Sequence, residues 1–199
     1  MMKKLWRRSQ RDPARLYPHD LVLRRTLLPL FPAWVRPNHL TILRFLLAPF
    51  VLWFLMEERY AVGVPLFFVT ALTDALDGSL ARVRGQITPW GTFYDPVADK
   101  LLIGSVVLLT VTKHLGWGFA LLIISMELLI VLGGVFNRRR GRPLSANAFG
   151  KTKMFLEVMG VLALLLSVWF GIDALEWVSI GTLCLALGFA VLSLLSYGI

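Results

Sequence analysis

Cysteine is nearly absent from this 199-residue chain: Cys184 stands alone, which excludes an internal disulfide framework. It lies in an apolar run with Gly181 and Gly188. The spacing puts three small residues on one helix face, a pattern that reads as close helix packing rather than redox chemistry. Charge is scarce too. Asp, Glu, Lys and Arg make up 17% of the chain, hydrophobic residues make up 57%, and the mean hydropathy is +0.69. Soluble domains carry more charge and fewer apolar residues. Histidine occurs three times, at His19, His39 and His114. No metal-ligand spacing repeats among them, and they read as interface residues. Long-period repeats and low-complexity tracts are missing. Acidic residues number 12 against 21 basic, a net charge of +9. That excess would suit a nucleic acid, but the basic residues fall at the ends of apolar runs. Few polar side chains could reach base edges. The sequence predicts a basic rim against anionic lipid headgroups and no nucleic-acid partner.

The apolar residues come in blocks of about 18 to 22, the length that crosses a bilayer as a helix. Six spans are predicted, near Leu40–Met56, Ala61–Leu80, Phe93–Thr112, Trp117–Phe136, Met154–Phe170 and Leu175–Tyr197. Connections at Glu57–Tyr60, Lys113–Gly116 and Gly171–Ala174 are short, so neighbours run antiparallel. Residues 1–18 are too charged to span and lack the cleavage site of a signal peptide. From His19 to Phe31, Leu23, Leu27, Leu30 and Phe31 recur at helical spacing and read as an interfacial helix. The fold class is thus an all-α integral membrane protein: six transmembrane helices behind an N-terminal amphipathic helix. A basic segment (residues 1–35) precedes a six-helix domain (residues 36–199). With the N-terminus inside, nineteen of the 21 basic residues face the cytoplasm, and only Arg59 and Lys113 face out. The positive-inside rule therefore puts both termini in the cytoplasm.

Against this background, "TDALDGSLARVRGQITPWGTFYDPVADK" is out of character. It holds four of the twelve acidic residues, as two pairs. Asp74 and Asp77 share a face near the end of the second span, and Asp95 and Asp99 share one at the start of the third. Gly85, Pro89 and Gly91 read as the turn between. Carboxylates so close repel, and each costs roughly 3 kcal/mol at mid-bilayer even alone. Arg82 is one cation within reach. Divalent metal is the natural complement, and carboxylate oxygens suit Mg²⁺ or Mn²⁺. Four aspartates could hold two ions about 4 Å apart, the arrangement that clamps a phosphoryl group during displacement. Gly78 and Ala81 leave room for a ligand beside Asp77, and Arg82 is placed to grip a phosphate.

The segment reads Asp74-x2-Asp77-Gly78-x2-Ala81-Arg82-x8-Gly91-x3-Asp95-x3-Asp99, and at every fixed position it resembles the signature of the CDP-alcohol phosphotransferase (CDP-alcohol phosphatidyltransferase) family. Eight fixed residues at fixed spacing arise by chance about once in 10⁹ to 10¹⁰ windows. The resemblance extends to the six-helix plan. It implies an enzyme that breaks the pyrophosphate of a CDP-linked donor and releases CMP as an alcohol attacks. It also implies roles: Asp74, Asp77, Asp95 and Asp99 as metal ligands, Asp99 in addition as general base, and Asp74, Gly78, Ala81, Arg82 and Thr41 around the CDP moiety.

Outside that segment, "PNHLTILR" (Pro37–Arg44) opens the first span. Asn38 or Thr41 could cap it, with Arg44 snorkelling one turn inside the cytoplasmic boundary. This stretch and "DPVADK", with Lys100 after the last aspartate, resemble the phosphatidylglycerophosphate synthase branch of the family. Glu127 falls mid-membrane by position and is a functional candidate by default, although Met126 stands where that branch carries arginine. The basic loop Asn137–Met154 resembles the branch's Gly-Lys-x-Lys-Thr stretch, with Met154 in place of threonine. Lys151, Lys153, Arg138 and Glu127 are its acceptor-site candidates. The implied donor is CDP-diacylglycerol and the implied acceptor glycerol 3-phosphate, in a homodimer of a bacterial-type inner membrane. Inositol phosphate, serine or phosphatidylglycerol could replace the acceptor. A divalent-cation transporter and an inactive lipid-binding scaffold are the readings from other classes.

Overall fold

A computed structural model describes residues 25, 26, 28, 31, 32, 35–86, 89–139 and 148–196, with backbone alone at 75, 89–99, 135, 138, 139 and 148. Six long helices account for almost all of it: α1 (Pro37–Met56), α2 (Tyr60–Arg84), α3 (Pro89–His114), α4 (Trp117–Arg139), α5 (Ala148–Phe170) and α6 (Asp173–Ser196). The chain is an all-α integral membrane protein. Among the described residues five helices are long and apolar enough to cross a bilayer, namely α1, α2, α4 to Gly134, α5 from Phe149, and α6. The interfacial helix expected at His19–Phe31 lies largely outside the described residues. Of its residues, Leu28 is buried and Phe31 partly so.

Several helices start or end a turn away from the positions that hydropathy predicts. Polar residues at the ends of a span lower the average without breaking the hydrogen-bond ladder. α2 runs on through Arg82 and Arg84 and stops at Gly85, where φ is 65°. The Gly85 amide bonds to Arg82 O and the Gln86 amide to Ala81 O. This is a Schellman closure, which needs a left-handed residue that glycine supplies without strain. The predicted turn through Gly85, Pro89 and Gly91 is therefore too long. Pro89 already opens α3, where its missing N–H costs nothing, and Gly91 is helical. α1 is likewise preceded by Arg36, not capped by Asn38 or Thr41. His39 Nδ1 accepts the Arg36 amide at 3.4 Å, and Thr41 Oγ1 points back to Pro37 O at 3.5 Å.

The packing is tightest between α5 and α6 and between α1 and α2. Glycine makes both contacts possible. A Cβ on Gly160 would lie 2.7 Å from Leu183 Cγ, and one on Gly63 would lie 2.8 Å from Leu55 Cδ2. The face of α6 that packs is Ser179, Leu183, Ala186, Ala190 and Ser193. That corrects the expectation for Gly181, Cys184 and Gly188. Cys184 is exposed, and a Cβ at either glycine would meet nothing within 4 Å. Small residues recur on both faces of α6, so spacing alone could not choose between them.

Two apolar clusters result. The larger joins Val51, Phe67, Val106, Val111, Leu164 and Leu183 along the bundle. The smaller, Leu28, Val35, Leu40, Leu76 and Leu80, lies beside the aspartate-bearing end of α2. Arg84 ties the incoming chain to that end. Its Nη2 donates to Phe31 O at 2.7 Å and its Nη1 to Val35 O at 2.8 Å. At the opposite end Lys113 Nζ meets Glu58 Oε1 at 2.5 Å. The ammonium's hydrogen bond, and then its charge, hold the Glu58 carboxyl below the ordinary carboxylate range.

Candidate active site

Asp74 and Asp77 sit one turn apart on α2 and point at α1. There they meet Arg44, which has no exposed surface. Arg44 Nη2 donates to Asp77 Oδ2 at 2.6 Å, and Nη1 lies 2.9 Å from Asp74 Oδ1. The second contact is off line for a hydrogen bond, and Arg44 Nε has no hydrogen-bond partner among the described residues. Asp77 is sealed at 3% exposure, while Asp74 keeps 24%. A guanidinium between two carboxylates is the charge compensation that burial demands.

Arg44 therefore does not snorkel. It is a second cation at the aspartate cluster, where sequence reasoning counted only Arg82. The spacing of charges within one chain segment does not reveal a partner 33 residues away. Arg82 folds back along α2. Its Nη2 reaches Ser79 Oγ at 3.4 Å, and its Nη1 lies 3.3 Å from where a Gly78 Cβ would be. Gly78 thus makes the space that the guanidinium fills. Ala81 is half-buried on the same turn, and Thr41 is buried on α1, three residues before Arg44.

The backbone is helical at Asp95 and Asp99, in the first turns of α3. Their side chains lie outside the described residues. Among the described residues no group of three or more His, Cys, Asp and Glu gathers to hold a metal. At this end of α2 the described residues Asp74 and Asp77 offer hard carboxylate oxygens, a donor type that fits Mg²⁺ or Mn²⁺.

A second ionic chain links α3, α4 and α5. Lys100 Nζ lies 3.3 Å from Glu127 Oε2. Lys153 Nζ contacts the other oxygen of Glu127 and lies 2.5 Å from Glu157 Oε2. Lys153 and Glu157 are both buried, and Glu127 is 28% exposed. Glu127 is thus a half-exposed member of a network rather than an isolated mid-membrane charge. Of the acceptor-site candidates, Lys153 faces inward and Lys151 is exposed, because two residues along a helix turn the side chain to another face. Arg138 is helical in backbone, and its side chain lies outside the described residues. Sequence reasoning missed Glu157, although an ionisable residue four positions after Lys153 within an apolar span was signal enough.

Residues 34–192 match the family model described as CDP-alcohol phosphatidyltransferase. The chain is 46% identical over 81 residues to a CDP-diacylglycerol–glycerol-3-phosphate 3-phosphatidyltransferase of Pseudomonas fluorescens, covering 39% of this chain and 42% of that protein. It is 34% identical over 131 residues to a probable phosphatidylglycerophosphate synthase of Mycobacterium tuberculosis, covering 62% of each. A probable cardiolipin synthase (CMP-forming) of Drosophila melanogaster is 41% identical over 73 residues, 36% of this chain and 23% of that protein. The chain thus aligns with less than two thirds of the length of each of these relatives.

Proposed function

The chain is a member of the CDP-alcohol phosphatidyltransferase family, and we propose that it transfers the phosphatidyl group of CDP-diacylglycerol to glycerol 3-phosphate, giving phosphatidylglycerophosphate and CMP. The buried convergence of Arg44 with Asp74 and Asp77, on the helix that bears the family motif, carries this reading. It joins α1 and α2 at the end of the bundle where α3 begins with Asp95 and Asp99. The name of the Pseudomonas fluorescens relative supplies the donor and acceptor, and that of the Mycobacterium tuberculosis relative the product.

In this reading α3 completes six spans, and the aspartate end faces the cytoplasm of a bacterial-type inner membrane. There a soluble acceptor and a lipid-borne donor can both arrive. Asp74, Asp77, Asp95 and Asp99 would hold two Mg²⁺ or Mn²⁺ ions. When bound, these supply positive charge to the pyrophosphate as its negative charge grows. Arg82 grips the CDP phosphates beside Gly78 and Ala81, and Thr41 borders the same space. Arg44 holds Asp74 and Asp77 in register and, through its unpaired Nε, has a donor to spare.

Asp99 takes the proton from the attacking hydroxyl. The acceptor oxygen then bonds to the phosphatidyl phosphorus, and the bond from that phosphorus to the CMP oxygen breaks, so CMP leaves with the electron pair. Lys153, with Lys151, Arg138 and Glu127, orients the acceptor phosphate. The working unit is a homodimer.

The test is CMP release by the purified chain with CDP-diacylglycerol and a panel of acceptors, repeated with Asp99→Asn. Glycerol 3-phosphate should support turnover, and Asp99→Asn should abolish it while leaving thermal unfolding unchanged. Chelation should abolish turnover reversibly. Release with phosphatidylglycerol but not with glycerol 3-phosphate would replace the acceptor and align the chain with the cardiolipin synthase relative. Metal flux without CMP release would replace the reaction class.

A further inference from the structure

Arg84 stands apart from the contacts among Arg44, Asp74 and Asp77, yet it shares a face of α2 with Asp77. The two are seven residues apart, two turns or about 10 Å along the helix. The Arg84 guanidinium reaches across to the chain that enters α1. Its Nη2 donates to Phe31 O at 2.7 Å, and its Nη1 donates to Val35 O at 2.8 Å and to Pro32 O at 3.3 Å. These carbonyls belong to two turns, closed by the Phe31 amide on Leu28 O and the Val35 amide on Pro32 O. Among the described residues the main chain there makes only local bonds of this kind. The carbonyls turned toward α2 are thus met by a side chain.

Leu28 and Val35 hang from the same turns. They are buried with Leu40 of α1 and with Leu76 and Leu80 of α2. Leu40 lies one turn before Arg44, and Leu76 and Leu80 flank Asp77. This apolar cluster therefore covers the Arg44–Asp77 pair on the side toward the helix ends. The pair is closed, whereas Asp74 keeps an open side. We infer that Arg84 is a positioning residue for the transfer reaction: it clamps Leu28 and Val35 over the Arg44–Asp77 pair, and the plug so formed keeps water from that pair. The catalytic half of this inference rests on the proposed reaction, and the clamp itself does not.

Arginine suits the task because its planar fork meets carbonyls of both turns at once, whereas a lysine ammonium is a point charge. A cation near a helix C-terminus is also favourable for its charge alone. The two contributions are separable, since lysine keeps the charge and loses the fork. Water admitted to the pair would screen its attraction and free Asp77 to turn. A carboxylate so displaced slows the chemical step more than it weakens substrate binding.

The experiment measures amide hydrogen exchange and CMP release on the full chain in detergent. Arg84→Met should speed exchange several-fold in peptides covering residues 28–36, and less so in 74–84, while residues 160–190 of α5 and α6 stay unchanged. With CDP-diacylglycerol and glycerol 3-phosphate, kcat should fall by roughly tenfold and both KM values should stay within about twofold. Arg84→Lys should stay nearer to Arg84→Met than to the wild type in both readouts. Leu28→Ala keeps the clamp and thins the plug. It should shift exchange and kcat in the same directions, and it decides the matter if Arg84→Met does not fold. Exchange at residues 28–36 indifferent to Arg84→Met, or full recovery by Arg84→Lys, would overturn the inference. So would a raised KM with kcat unchanged, which would put Arg84 on a substrate. If the wild type releases no CMP, the proposed reaction falls instead, and the exchange comparison still decides for or against the clamp.

Discussion

Replacing Arg44 by methionine removes a guanidinium and keeps a chain of similar length. The partners left behind are unequal. Asp74 is 24% exposed and can turn toward water, whereas Asp77 is 3% exposed and cannot. The main penalty therefore falls on the buried Asp77 carboxylate, which loses its 2.6 Å contact with the guanidinium, more than on half-hydrated Asp74. Removing one member of a buried ion pair costs about 3–5 kcal/mol. At roughly 2–4 °C per kcal/mol for a chain of this size, the unfolding midpoint should fall by about 6–20 °C. Adding Asp77→Asn to Arg44→Met removes that buried charge and should restore most of the loss, a coupling that a double-mutant cycle reads directly. The assay is tryptophan fluorescence of the purified chain in detergent during heating, with and without chelator. If the aspartates also hold dications, Mg²⁺ should raise the midpoint of Arg44→Met more than that of the wild type. Two results would refute the reasoning: a midpoint for Arg44→Met within about 2 °C of wild type, or a double variant no more stable than the single one.

Three further outcomes follow from other contacts. Glu157→Gln removes the charge of one of the two carboxylates that buried Lys153 meets; acceptor KM should rise more than kcat falls, with Glu157→Asp recovering part of the loss in steady-state assays. Gly160→Ala places a methyl against fully buried Leu183 and should cost about 1–3 kcal/mol in thermal unfolding, with Leu183→Ala in the same chain relieving the clash. Glu58 is exposed and its carboxyl is held low by Lys113. Its stabilising contribution is thus present above the unfolded carboxylate value of about 4.3 and is lost as pH falls through the lower folded value. Glu58→Gln should flatten that part of the pH–stability curve slightly, and salt should mask the difference.

The helical fold and its membrane setting were legible in the chain itself, because hydrophobic length is a local property and an apolar run of about 20 residues satisfies its backbone in a bilayer as a helix. The aspartate motif was legible for the same reason: its residues lie at helical spacings within one short stretch. Tertiary structure alone decided which distant charges they meet. Arg44 looked like a residue at a membrane boundary until α1 packed on α2 and buried it against Asp74 and Asp77. Lys151 and Lys153 looked equivalent until the rotation of α5 turned one outward and pressed the other between Glu127 and Glu157. Likewise, α6 carries small residues on two faces, and only Gly160 meeting Leu183 shows which of them packs. Periodicity ranks the faces of a single helix, but the partner of a buried charge or of a close contact is set by how neighbouring helices are rotated, and one chain's local spacing does not contain that angle.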